Sequence, residues 1–196
     1  ANDAGGMEND DATGIEIDAN GNLFILGEID DYNDSPSVAG MNVSCSNGNC
    51  DFMFLAKLNN AGMAISVETV DHVQPWDLSS DGMGNLYIAG GVACCGSSVS
   101  FGSIVIDGPI NNTVPEVAVI AKINSAGNWV WATSFGSTDE VIDNSWKDRE
   151  EIGVMEMHTD SSGNTYLHGY YEFEIILGGN TISPPNQEGF GAFVAK

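Results

Sequence analysis

The chain repeats one two-part phrase three times, and this repetition constrains its fold more than any other feature. Each copy opens with a hairpin whose turn contains Gly-Asn, and these turns lie 63 and 79 positions apart, at Gly21, Gly84 and Gly163. Each copy then has an apolar strand that ends in Ala-Lys, at Lys57, Lys122 and Lys196. Because a single unit of a repeat protein does not bury its own faces, we expect neighbouring copies to pack against each other.

The fold class follows from the short apolar runs, which alternate with polar residues and are bounded by Gly, Asn, Asp and Ser. Such runs predict strands and turns, so an all-β chain is expected. The second copy is the most complete, with strands predicted over residues 76–79, 86–90, 117–123 and 128–133. Four antiparallel strands in about 65 residues are typical of one blade of a β-propeller.

We therefore predict a single repeat region over residues 1–196, with copies at about residues 12–70, 75–135 and 152–196. The third copy stops before a fourth strand. A propeller has about four to eight blades, so three copies predict a partial ring. Completion is expected from further repeats of the same polypeptide, from a second copy of the chain, or from a strand that a neighbour donates.

The order of the sequence pieces can be compared with known repeats. In the second copy the pieces are Asp81, Gly84-Asn85-Leu86-Tyr87-Ile88-Ala89-Gly90, Phe101-Gly102, Ala121-Lys122 and Asn124-Ser125-Ala126-Gly127-Asn128-Trp129-Val130-Trp131. This order resembles the bacterial and archaeal β-propeller repeats labelled SBBP. The resemblance implies a secreted or cell-surface propeller and supplies no catalytic residues. The first copy departs from it by an insertion over residues 30–50, and the third has Leu177-Gly178-Gly179 in place of Phe-Gly.

The charge of the chain is strongly negative, with 28 acidic residues, five basic residues and a formal charge of −23. Such a charge repels nucleic acid and anionic membranes and favours cations or cationic partners. The sequence has no apolar run long enough to span a bilayer. We expect the recurring lysines Lys57, Lys122 and Lys196 to be structural, each paired with a carboxylate, and ligand contact is the alternative.

The cysteines and sequons indicate an extracellular setting. Disulfide bonds are expected rather than zinc for Cys45, Cys50, Cys94 and Cys95, because their spacing lacks the usual C-x₂-C pattern. Disulfides form in oxidising compartments, so secretion or cell-surface display is predicted. Three N-x-[ST] sequons are expected on exposed loops and begin at Asn33, Asn42 and Asn111.

Two candidate metal sites can be named from the sequence. Asp30, Asp31 and Asp34 form an oxygen-rich run that is a weak candidate for Ca²⁺, and a solvated loop is the alternative. His158 and His168 flank the third Gly-Asn turn, where they would face each other across the hairpin. No cofactor other than Ca²⁺ is expected.

The predicted function is that of a non-enzymatic extracellular module for structural assembly, adhesion, or protein or glycan binding. No nucleophile elbow, P-loop or dinucleotide fingerprint is present. Trp129 and Trp131 alternate and predict one aromatic strand face, for packing between repeats or for carbohydrate. The expected partners are copies of the chain, further repeats or glycans. The alternatives are a calcium-dependent binding module and a polysaccharide hydrolase or lyase with paired carboxylates.

Overall fold

A computed structural model describes residues 4–5, 9–32, 36–44, 49–92, 98–107, 117–137, 152–172, 174–185 and 190–196. This part of the chain has 0% helix, which confirms the predicted all-β class. The strands in chain order are β1 (Ala4–Gly5), β2 (Asn9–Ile17), β3 (Leu23–Tyr32), β4 (Ser37–Val38), β5 (Met41–Asn42), β6 (Asn49–Leu58), β7 (Ala64–Asp71), β8 (Gln74–Ser80), β9 (Leu86–Val92), β10 (Val99–Phe101), β11 (Ile104–Ile106), β12 (Val117–Ile123), β13 (Trp129–Ser137), β14 (Ile152–Thr159), β15 (Thr165–Tyr171), β16 (Ile175–Leu177), β17 (Asn180–Ile182) and β18 (Gly191–Ala195). The described residues include no helix with the length and apolarity needed to cross a membrane.

Each copy of the sequence phrase forms one antiparallel sheet. The first copy pairs its strands in the order β2-β3-β6-β7, and the second contributes β8-β9-β12-β13 in the same order. The third copy forms a sheet of three described strands, β14-β15-β18. In every copy the segment between the second and third sheet strands forms a short hairpin, which is β4–β5, β10–β11 or β16–β17.

The Asp and Asn residues of the repeated phrase hold the first turn of each copy. In the third copy, Oδ1 of Asp160 accepts hydrogen bonds from the backbone N–H groups of Ser162 and Asn164, both at 2.9 Å. The side-chain amide of Asn164 donates to Oδ2 of the same carboxylate at 2.8 Å. Gly163 between them has a φ of 79°, a backbone conformation that favours glycine. The repeated Asp and Gly-Asn are therefore turn residues.

The sheets of the described residues are open, and they are not arranged as the blades of a propeller. The predicted blade arrangement is therefore not found, although each copy does form its own antiparallel sheet. The hairpin β16–β17 of the third copy joins the edge of the second copy, where Ile175 pairs with Ser137 and Ile176 with Gly136. This pairing produces one six-stranded sheet of order β17-β16-β13-β12-β9-β8, so two copies share a sheet instead of forming separate blades.

The hydrophobic core lies between the copies. We call the sheet face turned towards the following copy its distal face, and the opposite face its proximal face. One cluster joins distal residues of the first copy to proximal residues of the second: Phe24, Leu26, Met53, Leu55 and Val70 with Leu78, Leu86, Ile88, Val119, Ala121 and Ile123. A second cluster does the same for the next pair: Tyr87, Ala89, Ala118, Ile120 and Phe135 with Ile152, Val154, Met157, Leu167 and Phe193. Packing between copies, as the repetition predicted, is thus confirmed.

A third cluster covers the proximal face of the first copy, which has no preceding copy in the described chain. Its members are Ile29, Val38, Phe52, Phe54, Ala56 and Leu58. The hairpin β4–β5 contributes Val38, while Ala39 and Val43 pack against the cluster from the same segment. The first copy therefore buries part of this face with its own inserted segment.

Candidate functional site

The first strands of neighbouring copies contact each other side by side, in the order β2, β8, β14. Between the second and third copies, the backbone N–H of Met157 donates to Oδ2 of Asp77 at 2.6 Å. The backbone N–H of Thr159 donates to Oγ of Ser79 at 2.8 Å. Burial raises the pKa of Asp77 even though this carboxylate accepts backbone hydrogen bonds. Side chains on the distal face of one copy thus satisfy backbone donors of the next copy.

At the junction between the first and second copies, the same strand positions are in contact, but the hydrogen bond there joins two side chains. Oγ of Ser80 donates to Oε2 of Glu16 at 3.0 Å. Gly14 takes the place that Asp77 has in the second copy, and a Cβ on Gly14 would lie 2.7 Å from Cβ of Leu78. This strand position therefore contacts the next copy at both junctions.

The three recurring lysines each lie over an aromatic ring of their own copy. The Nζ atom of Lys57 is 5.1 Å from the ring centre of Phe24, and that of Lys122 is 4.8 Å from Tyr87. Lys196 and Tyr166 have the same relationship at 5.4 Å. Within about 6 Å a cation is attracted by the face of the ring. Burial alone would raise the pKa of Asp18, but hydrogen bonds from Asn22 and Asn20 lower it, and the charge of Lys57 adds a smaller lowering effect.

The distal face of the third copy is exposed, in contrast to the equivalent faces of the other copies. Tyr166 is 41% exposed, whereas its counterpart Tyr87 is 1% exposed. Val194 is 82% exposed, and its counterpart Ile120 is 7% exposed. Met155, at the position of the partly buried Trp76, is also exposed. This surface is formed by the same repeat positions that are buried between neighbouring copies at the other two distal faces, and in the described chain nothing covers it.

A cleft of about 770 Å³ lies between the second and third copies. Strand β13 forms one wall, strands β15 and β18 form another, and the β16–β17 turn lies at its rim. The lining residues are Ile120, Trp131, Thr133, Ser134, Phe135, Gly163, Asn164, Thr165, Leu167, Leu177, Gly178, Asn180, Val194, Ala195 and Lys196. It is therefore bounded by apolar, hydroxyl and amide side chains together with one ammonium group.

The equivalent place between the first and second copies has a volume of only about 30 Å³. Its lining includes Phe24, Leu55 and Lys57, the counterparts of Tyr87, Ile120 and Lys122. Here the end of β12 and the following turn of the second copy, with Ile123, Asn124, Ser125 and Gly127, occupy the space. In the junction between the first and second copies, the turn after β12 fills this position. In the junction between the second and third copies, the same position is the large cleft.

Strand β18 is also an open sheet edge in the described chain. It pairs on one side with β15, from Leu167↔Ala195 to Tyr171↔Gly191. The corresponding strands β6 and β12 have partners on both sides, since β7 and β13 follow them. Unpaired edge groups are templates for a further strand. The cleft and this edge together form the candidate site of the molecule.

The predicted metal residues lie away from this site. Asp30 pairs with Asn9 and Asp51 within the first sheet. Asp31 is in the same strand β3, its side chain lies outside the description, and Asp34 is outside the described residues. His168 pairs with Glu156 and His158 with Tyr166, so the two histidines are not directly opposite each other. Within the described ranges, no three His, Cys, Asp or Glu side chains come together to hold a metal ion.

The predicted disulfides and most sequons fall where the structure gives no description. Cys45, Cys94 and Cys95 lie outside the described residues, and of Cys50 only the backbone in β6 is described. Asn33 and Asn111 are likewise outside, whereas Asn42 is exposed in β5. The disulfides and glycosylation therefore stay predictions.

The two tryptophans of β13 do not share a face, contrary to the expected alternation. Trp129 pairs with Ile123 and Trp131 with Lys122, so a bulge at Val130 separates them. Trp129 contacts Phe101 edge to face, with ring centres 5.0 Å apart, and packs on the first cluster. Trp131 contacts Tyr87 at 6.1 Å and lines the cleft. The bulge thus brings one of them into the candidate site.

Sequence reasoning missed the aromatic partners of the repeated lysines. Aligning the three copies would have found them, because the second residue after Gly-Asn is aromatic in every copy, namely Phe24, Tyr87 or Tyr166. The chain matches no known protein family and no curated protein.

Proposed function

We propose that the chain is a non-enzymatic, extracellular or cell-surface β-repeat module whose role is structural assembly and adhesion. The single observation that supports this proposal is the exposed distal face of the third copy, because the equivalent faces of the first and second copies are covered by a neighbouring copy. A surface whose counterparts are core is expected to have a partner. The partner of this face is a repeat surface of the same kind.

A second copy of the chain offers such a surface. Ile15 and Ile17 lie on β2 at the positions of Leu78 and Ser80, which contact the preceding copy, and both isoleucines are exposed. Contact between this end of one chain and the third copy of another is head-to-tail, and such contacts form rings or filaments. Each chain has a formal charge of −23, so repulsion opposes association at low ionic strength. Association is accordingly expected to strengthen as salt is added.

Sedimentation velocity over a range of protein and salt concentrations tests the proposal. Met155→Glu places a charge on the distal face and is expected to weaken association about tenfold or more. Met83→Glu is the matched control, since Met83 and Met155 are 64% and 68% exposed and Met83 lies in a hairpin turn outside this face. A chain that remains monomeric at every concentration, or equal effects of the two variants, would contradict the proposal.

A further inference from the structure

The structure assigns an occupant to the cleft between the second and third copies: we infer that it binds an extended segment of the repeat's own fourth-strand type. Such a segment has an Asn-x-x-Gly turn followed by a strand with apolar residues on one face, as Trp129 and Ala132 are in residues 123–137. The segment would pair with the open edge of β18 and fill the cleft with its turn. This inference names the partner of one surface and rests on the proposed assembly function.

The first support is the comparison of the two junctions. The space between the first two copies is closed to about 30 Å³ by the turn that contains Asn124, Ser125 and Gly127. The cleft beside the third copy has a volume of about 770 Å³. Its lining contains Ile120, Trp131 and Thr133, which are the counterparts of Leu55, Ser66 and Glu68 in the lining of the smaller space. The same walls thus enclose a filled space in one junction and an open one in the other.

The second support is the pairing register of the complete copies. Ile120 pairs with Thr133 and Ala121 with Ala132 in the second copy. Leu55 pairs with Glu68 and Ala56 with Val67 at the same positions of the first copy. Val194 and Ala195 hold these positions in β18, and this strand edge borders the cleft. Backbone pairing in β-strand addition supplies the affinity, and the side-chain pockets supply the specificity.

The third support is the side-chain pattern that such a segment requires. In β13 the residues Trp129 and Ala132 pack against the cluster shared with the preceding copy. In β7 the residue Val67, equivalent to Ala132, packs against the cluster of the first copy. An incoming strand would therefore direct apolar side chains at these two positions towards Trp131, Phe135 and Leu177, which line the cleft. An extended strand with apolar side chains at these two positions therefore matches the apolar part of the cleft lining.

The experiment adds residues 123–137 of the chain a second time, directly after Lys196. Lys196 is the counterpart of Lys122, so the added segment continues the repeat in phase. The control carries Trp129→Asp and Ala132→Asp within the added segment only. Thermal unfolding and amide hydrogen exchange of Gly191–Ala195 are measured for both forms and for the original chain. A synthetic peptide of the same sequence, added to the original chain, provides the arm in trans.

The matched segment is expected to raise Tm by about 2–4 °C or more and to slow exchange in β18 about tenfold or more. The control segment is expected to do neither. Equal behaviour of the two segments, or protection of β18 by a glycan and not by the strand, would overturn the inference. Repeating the measurement in Met155→Glu separates the two proposals: strand capture persists there if only the distal-face association has failed, and it is absent if the cleft assignment is wrong.

Discussion

The backbone N–H of Met157 donates a hydrogen bond of 2.6 Å to Oδ2 of Asp77, a residue 80 positions earlier in the chain. Asp77 belongs to the first strand of the second copy, and Met157 to the first strand of the third. The bond therefore joins neighbouring repeats across their shared core, where Met157 is buried. This contact makes the stability of one copy depend on a side chain of another.

The first prediction concerns how the stability of the chain changes with pH as Asp77 titrates. Burial raises the pKa of Asp77, so the folded state holds this proton more tightly than the unfolded chain. The stabilising contribution of the protonated group is complete below the unfolded pKa and is lost as pH rises through the folded pKa. The stability of the native chain relative to Asp77→Asn should therefore fall as pH rises across that range. Urea unfolding of both proteins from pH 3 to pH 7 measures it, and a constant difference would contradict the prediction.

The second prediction concerns Asp160, whose pKa is shifted in the opposite direction to that of Asp77. The side-chain hydrogen bond from Asn164, with backbone hydrogen bonds from Asn164 and Ser162, lowers the pKa of Asp160. The stabilising contribution of this carboxylate is present above its unfolded pKa and is lost as pH falls through its folded pKa. Asp160→Ala should lower Tm at neutral pH and have a smaller effect in acid. A Tm difference that grows on acidification would count against it.

The third prediction concerns the buried hydroxyl of Tyr87. Within the described chain Oη of Tyr87 has no hydrogen-bond partner, and it lies where a Cβ on Gly163 would be 2.8 Å away. Removing an unpaired buried polar group costs little, so Tyr87→Phe should leave the free energy of unfolding unchanged or raise it by up to about 1–2 kcal/mol. Tyr87→Ala also loses the ring beneath Lys122 and should cost about 3–5 kcal/mol. Equilibrium urea unfolding separates these outcomes, and a marked loss in Tyr87→Phe would reveal a partner for the hydroxyl.

The fourth prediction compares one repeat position in two copies. Ile120 is buried against the third copy, whereas Val194 is exposed at the same place in the phrase. Ile120→Ala should lower the free energy of unfolding by about 2–5 kcal/mol. Val194→Ala in the unassociated chain should change it by less than about 0.5 kcal/mol. Similar losses at both positions in a monomeric sample would show that the distal face of the third copy is already covered.

The strands and turns of the fold were predictable from residue patterns, because alternation and the repeated Asp and Gly-Asn act locally. Asp160 and Asn164 close their turn with bonds that span only four residues. The relation of the sheets was not predictable in the same way. The bulge at Val130 and the pairing of Ile175 with Ser137 depend on register between strands, which residue types do not encode. The candidate site was missed because the residues that line the two junctions are similar in sequence. Only the structure shows that one junction is filled and the other holds a cleft.

The pairing of β16 with β13 has a mechanical consequence. The second and third copies share a backbone ladder through Gly136 and Ile176, whereas in the described strands the first copy has no ladder with the second and meets it through side-chain packing and the bond from Ser80 to Glu16. Under a pulling force, or in early denaturation, the boundary after the first copy should therefore part before the boundary after the second. The three repeats share one sequence pattern, but under load the first copy would separate as one weakly attached unit and the second and third would separate as a joined pair.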